Sequence, residues 1–153
     1  MRVSWGFDAH RLGGEPPVRF AGVVVDSARG ILATSDGDLV AHAVADALLG
    51  AAGRGDLGTH FPSSDPRWEG ADSMDLLGQV VKMCSELQVD FVDVTVIAQD
   101  VRVAPHRAAI RENLAAALGL DPDAVSVKAT TTDGMGAIGA GEGIAVTAVV
   151  TAS

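Results

Sequence analysis

The chain has 153 residues, 48% of them hydrophobic, a formal net charge of −9 and one cysteine, Cys84. That length supports a single domain, 1–153, with a proper core. The acidic balance argues against nucleic acid as a partner, because phosphate backbones are gripped by clustered Lys and Arg. A lone cysteine excludes an intrachain disulfide and suits a reducing compartment. No apolar run has signal-peptide or membrane-spanning character, so the expectation is a cytoplasmic protein with no membrane partner.

In chain order, residues 2–8 and 18–25 are β-rich and flank the turn-forming LGGEPP, which predicts two strands and a loop. Ser35 or Asp36 is placed to cap a helix that ends near Gly50 to Gly53. Residues 53–70, GRGDLGTHFPSSDPRWEG, have no period and many turn formers; a loop of that length inside a compact domain is usually functional. Ala71-Asp72-Ser73 caps a second helix to about Leu87. VDFVDVTVIAQ alternates as a strand, Pro105 opens a third helix to about Leu118, and Asp121-Pro122-Asp123 turns the chain into the strand VSVKATTT. A glycine-rich loop and the strand GIAVTAVVTA close the sequence. The order predicts an α+β domain with helices on one face of a mixed four- or five-stranded sheet.

Three stretches carry the chemistry. In GFDAH, Asp8 and His10 are two apart on a strand, so they share a face. They suit a metal, and equally suit exposed strand-end positions. LATSDGDLVAHAVADALL sets Asp38, His42 and Asp46 on one helical face. His42 is the natural third ligand, giving a tetrahedral site with one open position, the mark of catalytic zinc. Asp38 and Asp46 are candidates to fix the His42 ring or to cap the loop beside it. The alternative is a satisfied core histidine.

The tail TTTDGMGAIGAGEG contains a literal GxGxxG from Gly134 to Gly139. A dinucleotide site requires those glycines to open a long helix, whereas GIAVTAVV reads as a strand, so that reading is rejected. Thr130, Thr131 and Thr132 offer hydroxyls and amides to phosphate oxygens, and Asp133 a ligand for a hard cation. A β-branched strand end followed by a turn explains the same residues.

Taken together, GFDAH, SDGDxxxHAxxDALLGAAGxGDxGxxFP, DPxWxGADS, IAQ, PH at 105–106 and KATTTDxxGxxGxGEGIA resemble the 2-C-methyl-D-erythritol 2,4-cyclodiphosphate synthase family. The blocks run in register from residue 6 to about 146. The resemblance implies a homotrimer with its sheets facing the three-fold axis and an active site at each subunit interface. It also implies cyclisation of a cytidine diphosphate-linked substrate with release of CMP. Asp8, His10 and His42 are then catalytic zinc ligands (manganese or cobalt also fit), and Asp133 holds magnesium or manganese. Thr34, Ser35, Asp56, Gly58 and Phe61 line the substrate site, with Asp56 and Gly58 against the erythritol. Residues 98–104, among them Ala98, Arg102, Val103 and Ala104, form the cytosine pocket. Thr131 and Thr132 contact the nucleotide phosphates, with Thr130 beside them in the substrate site.

Four departures from the family pattern stand out. Thr34 replaces a histidine that contacts phosphate. Asp100-Val101-Arg102 lacks the usual proline and adds a carboxylate. Ser63 stands where Asp is frequent. Ala140 replaces an arginine of the trimer's central cavity, so no isoprenoid diphosphate is expected there. The metal ligands survive while these contacts do not, which leaves a working synthase, a paralogue with altered substrate or lost turnover, and a metal-stabilised scaffold as the readings in play.

Overall fold

The computed structural model describes residues 1–153. Its main sheet has the strands β1 (Arg2–Arg11), β4 (Val89–Ile97), β5 (Val125–Thr130) and β6 (Gly143–Ala152), in the order β1-β6-β4-β5. β1 and β4 run antiparallel to the central β6, and β5 is parallel to β4. The sheet is therefore mixed and four-stranded. The parallel pair is joined through α4 (Arg107–Leu118), the kind of crossover such a pair requires.

The stretch 18–25 does not join this sheet. It divides into β2 (Val18–Phe20) and β3 (Val23–Asp26), a separate antiparallel hairpin. Ala21 and Gly22 turn it with positive φ. Nor is 53–70 wholly irregular: it holds a short helix, α2 (Leu57–His60), and a 3-10 turn at Pro66–Trp68. A single helical turn, α5 (Gly136–Gly139), interrupts the glycine-rich tail.

α1 (Leu39–Ala52) is Ala- and Leu-rich and almost entirely buried. Its cap is Asp38 rather than Ser35 or Asp36; the Asp38 side chain accepts from the Ala41 N–H, and Gly53 in the left-handed region closes the far end. α3 (Ser73–Met83) begins at its Asp72 cap and stops at Cys84, short of Leu87. α1 lies against β1 and β6, α3 against α1, and α4 against β5. All three long helices sit on one face of the sheet, over a core that includes Phe20, Leu48, Leu77, Val94, Ile110 and Ile144.

The opposite sheet face carries no helix. Val3, Trp5 and Phe7 on β1 and Phe91 on β4 are exposed there, with the Trp5 and Phe7 rings stacked at 5.7 Å. Alternation along β1 sends Ser4, Gly6, Asp8 and His10 to the helical side.

Candidate active site

Glycine at position 6 lets α1 come close to β1. A Cβ there would stand 2.0 Å from the Ala43 carbonyl oxygen and 2.8 Å from the Ala47 N. This backbone approach carries His42 onto the strand face that holds Asp8 and His10. His42 Nδ1 lies 2.9 Å from Asp8 Oδ2, and His10 Nε2 lies 3.2 Å from Asp8 Oδ1. One ligand atom from each of the three residues falls within 4.8 Å of the others. Two imidazole nitrogens and a carboxylate oxygen, all half-buried, are a donor set that suits zinc, manganese or cobalt.

Burial works against ionised Asp8, yet hydrogen bonds from His10 and His42, together with their charge, lower its pKa to about 2. The hydrogen bond to Asp8 in turn raises His10 above the usual histidine value. The carboxylate is thus held ready as a ligand.

Neither Asp38 nor Asp46 hydrogen-bonds the His42 ring; both accept from backbone amides instead. Asp38 is fully buried and its oxygens accept from the N–H groups of Ala21, Gly22 and Ala41, tying the β2–β3 turn to the start of α1. Burial lifts its pKa to about 6 against those three donors. Asp46 accepts from the Leu57 N–H at 2.8 Å and so anchors α2; burial raises its pKa as well.

On the Nε2 side of the ring the partners are Ser73, whose Oγ is 2.8 Å from His42 Nε2, and Ser35, whose Oγ is 3.3 Å away. Ser73 was not singled out from sequence. As the first residue of a helix it reads as part of a cap box, and nothing local reports that its hydroxyl crosses to α1.

A groove of about 460 Å³ opens over Asp8, His10 and His42. Thr34, Ser35, Asp56, Gly58 and Phe61 all line it, joined by Ala33, Ser63, Trp68 and Leu76. Asp56 caps α2 and accepts from both the N–H and the hydroxyl of Thr59, the hydroxyl bond first, which holds its carboxyl below the usual range. Phe61 meets Trp68 edge-on at 4.9 Å, forming an aromatic wall.

The remaining predicted residues gather elsewhere. Ala98 N donates to the Thr130 carbonyl, and Gly134 N to Gln99 Oε1, so 98–104 and 130–133 form one neighbourhood at the ends of β4 and β5. Thr131 Oγ1 accepts from the Asp133 N–H, and Asp133 adopts a positive φ of 54°. Arg102, Ala104, Thr131 and Asp133 are exposed, whereas Ala98 and Val103 are buried. Val101 is buried too, packed into the hydrophobic core. Asp100 has a cationic neighbour in Arg29, 3.9 Å away, which offsets the added charge.

None of this second group lines the groove. Ala9, between the two β1 ligands, stands in register with Ala145, then Ile97, then Thr130 across the four strands. Three strand spacings separate the β1 pair from Thr130 on the far edge strand, roughly 14 Å, and two separate it from Ile97, which leads into 98–104.

A model of the YgbB family matches residues 1–153. The chain is 48% identical over 152 residues to 2-C-methyl-D-erythritol 2,4-cyclodiphosphate synthase of Shewanella halifaxensis, covering 98% of this chain and 96% of that one. It is 54% identical over 154 residues to the protein of the same name from Alkalilimnicola ehrlichii, covering 98% and 93%. Among solved structures, a 2C-methyl-D-erythritol-2,4-cyclodiphosphate synthase in a CDP-bound form superposes with a TM-score of 0.89 at 32% identity, over 99% of this chain and 100% of that one. The bifunctional IspDF from Campylobacter jejuni gives 0.94 at 40% identity, over 97% of this chain and 41% of that larger one. No helix of the chain is long and apolar enough to cross a membrane.

Proposed function

The chain belongs to the YgbB family of 2-C-methyl-D-erythritol 2,4-cyclodiphosphate synthases, and on that premise we propose that it cyclises 4-diphosphocytidyl-2-C-methyl-D-erythritol 2-phosphate with release of CMP. It is a phosphorus–oxygen lyase of isoprenoid precursor synthesis by the non-mevalonate route. The observation that carries the reading is the convergence of Asp8, His10 and His42 at the floor of a groove lined by Thr34, Ser35, Asp56 and Gly58.

In the reaction, an oxygen of the 2-phosphate attacks the β-phosphorus of the diphosphate, and the bond to the oxygen of the departing CMP breaks. Asp8, His10 and His42 would hold a divalent ion, which would supply Lewis-acid polarisation of a phosphate oxygen. Asp56 and the backbone at Gly58 orient the erythritol portion, and the Phe61–Trp68 wall shields that end of the groove from water. The hydroxyls of Thr131 and Thr132 position the nucleotide phosphates. Asp133 would hold a second divalent ion, magnesium or manganese, which would offset charge developing on the diphosphate. Positioning and charge neutralisation are the main demands of phosphoryl transfer, which suits a site with few basic residues.

The complete site requires more than one copy. The groove sits over β1, whereas the 98–104/130–133 group lies two to three strands away at the ends of β4 and β5, and an edge-to-edge arrangement of copies would bring the two groups together. The uncovered face with Val3, Trp5, Phe7 and Phe91 supports packing about a three-fold axis, since apolar sheet surface of this kind is normally buried. CMP release from the cytidyl substrate, dependent on added divalent metal, tests the function. Pairwise mixing of His42→Ala and Asp133→Ala subunits tests the shared site, because mixed trimers regain intact sites.

A further inference from the structure

Ser73 opens α3, is 1% exposed, and lies between two groups of the loop and helix that carry the metal ligand. Its hydroxyl donates to Asp36 Oδ1, and its backbone N–H donates to Asp36 Oδ2 at 3.1 Å. Asp36 Oδ1 also accepts from the Asp38 N–H at 3.2 Å. The carboxylate is therefore used throughout as an acceptor, and the single hydroxyl proton of Ser73 is committed to it. Towards His42 Nε2, 2.8 Å away, the Ser73 oxygen can then only accept. Ser35 Oγ is farther from the same nitrogen, at 3.3 Å, and accepts from the Gly37 N–H at 3.3 Å.

We propose that Ser73, polarised by Asp36, is a positioning residue that holds the His42 proton on Nε2 and leaves the Nδ1 lone pair, on the Asp8 side, for the metal. The proposal rests on the metal reading of Asp8, His10 and His42. A histidine ligand is directed by the hydrogen bond of its other nitrogen, and loss of such a partner typically weakens metal binding 10- to 100-fold. The Asp36–Ser73–His42 chain also links two elements distant in sequence, so ligand orientation follows the docking of α3 on α1.

The test is long-range proton–nitrogen NMR on ring-labelled, zinc-loaded protein, paired with zinc affinities measured by chelator competition for Ser73→Ala and Ser73→Thr. The expected wild-type spectrum has His42 protonated at Nε2 and metallated at Nδ1. Ser73→Ala is expected to bind zinc about 10-fold or more weakly with an unchanged circular dichroism spectrum, and Ser73→Thr, which keeps the hydroxyl, to recover most of the affinity. Zinc on Nε2 in the wild type overturns the proposal even if the alanine variant fails to fold. So does an alanine variant that folds and binds zinc as tightly as the wild type, and this outcome leaves the metal reading intact. A wild-type protein that binds no zinc, manganese or cobalt overturns both.

Discussion

Gly6 and Ala43 meet so closely that a side chain on the glycine has nowhere to go: its Cβ would stand 2.0 Å from the Ala43 carbonyl oxygen. The obstacle is helix backbone, which cannot move aside as the tip of a side chain can. His42 precedes this contact on α1 and Asp8 follows it on β1, so the helix–strand spacing sets the distance between the two ligands.

Gly6→Ala is accordingly expected to cost about 3 kcal/mol in stability, read by urea unfolding of the metal-free protein. The surviving folded fraction is expected to bind zinc more weakly, because α1 is pushed off the strand. A variant with wild-type stability and affinity would show that the helix sits differently from the arrangement described.

The buried cap Asp38 gives a pH dependence of definite sign. Burial raises its folded-state pKa to about 6, against 3.8 for an ordinary aspartate. The folded protein therefore holds a proton that the unfolded chain has released. The stabilisation from this group is complete below about pH 4 and is lost as pH rises towards and through 6. Asp38→Asn lacks that loss, so its stability relative to wild type should shift in favour of Asn by about 3 kcal/mol between pH 4 and pH 7.5. A difference that stays constant across that range, in urea titrations of metal-free protein, would contradict it.

How much of this was legible in the sequence differs by kind of contact. The candidate metal cluster is: strand alternation puts Asp8 and His10 on one face, and His42 stands on a helix that packs over them. That Thr34, Ser35, Asp56, Gly58 and Phe61 belong together is legible through motif register alone. Helix periodicity could not say what Asp38 and Asp46 bond to, because their partners, the Ala21 and Gly22 amides and the Leu57 amide, lie outside the helix. The same reason hides Ser73, whose hydroxyl acts across a 31-residue separation. The hairpin of β2 and β3 escaped notice because two three- to four-residue strands with a two-residue turn read as one β-rich run.

The two groups of site residues predict separable effects. Asp133→Ala is expected to leave zinc stoichiometry and affinity unchanged while reducing turnover by 100-fold or more, on the order of the loss when a main electrostatic contact to a transition state is removed. His42→Ala should lose both. Metal analysis beside steady-state kinetics distinguishes them, and loss of zinc from the Asp133 variant would place that residue in the first metal site instead.

Thr34 lines the groove where the family pattern has a histidine. Thr34→His restores a donor towards phosphate, and turnover is expected to rise several-fold, as one added hydrogen bond of about 1 kcal/mol allows. A fall in kcat/KM would mean that the groove of this chain has already adapted around the threonine.

The most direct test of the account is to incubate purified protein with 4-diphosphocytidyl-2-C-methyl-D-erythritol 2-phosphate, zinc and magnesium, and to follow CMP and the cyclic diphosphate together by phosphorus NMR. The account predicts the two products in equal amounts, abolished by chelation and by His42→Ala. CMP formation no greater than in the chelated control, from protein shown to carry metal, would contradict it.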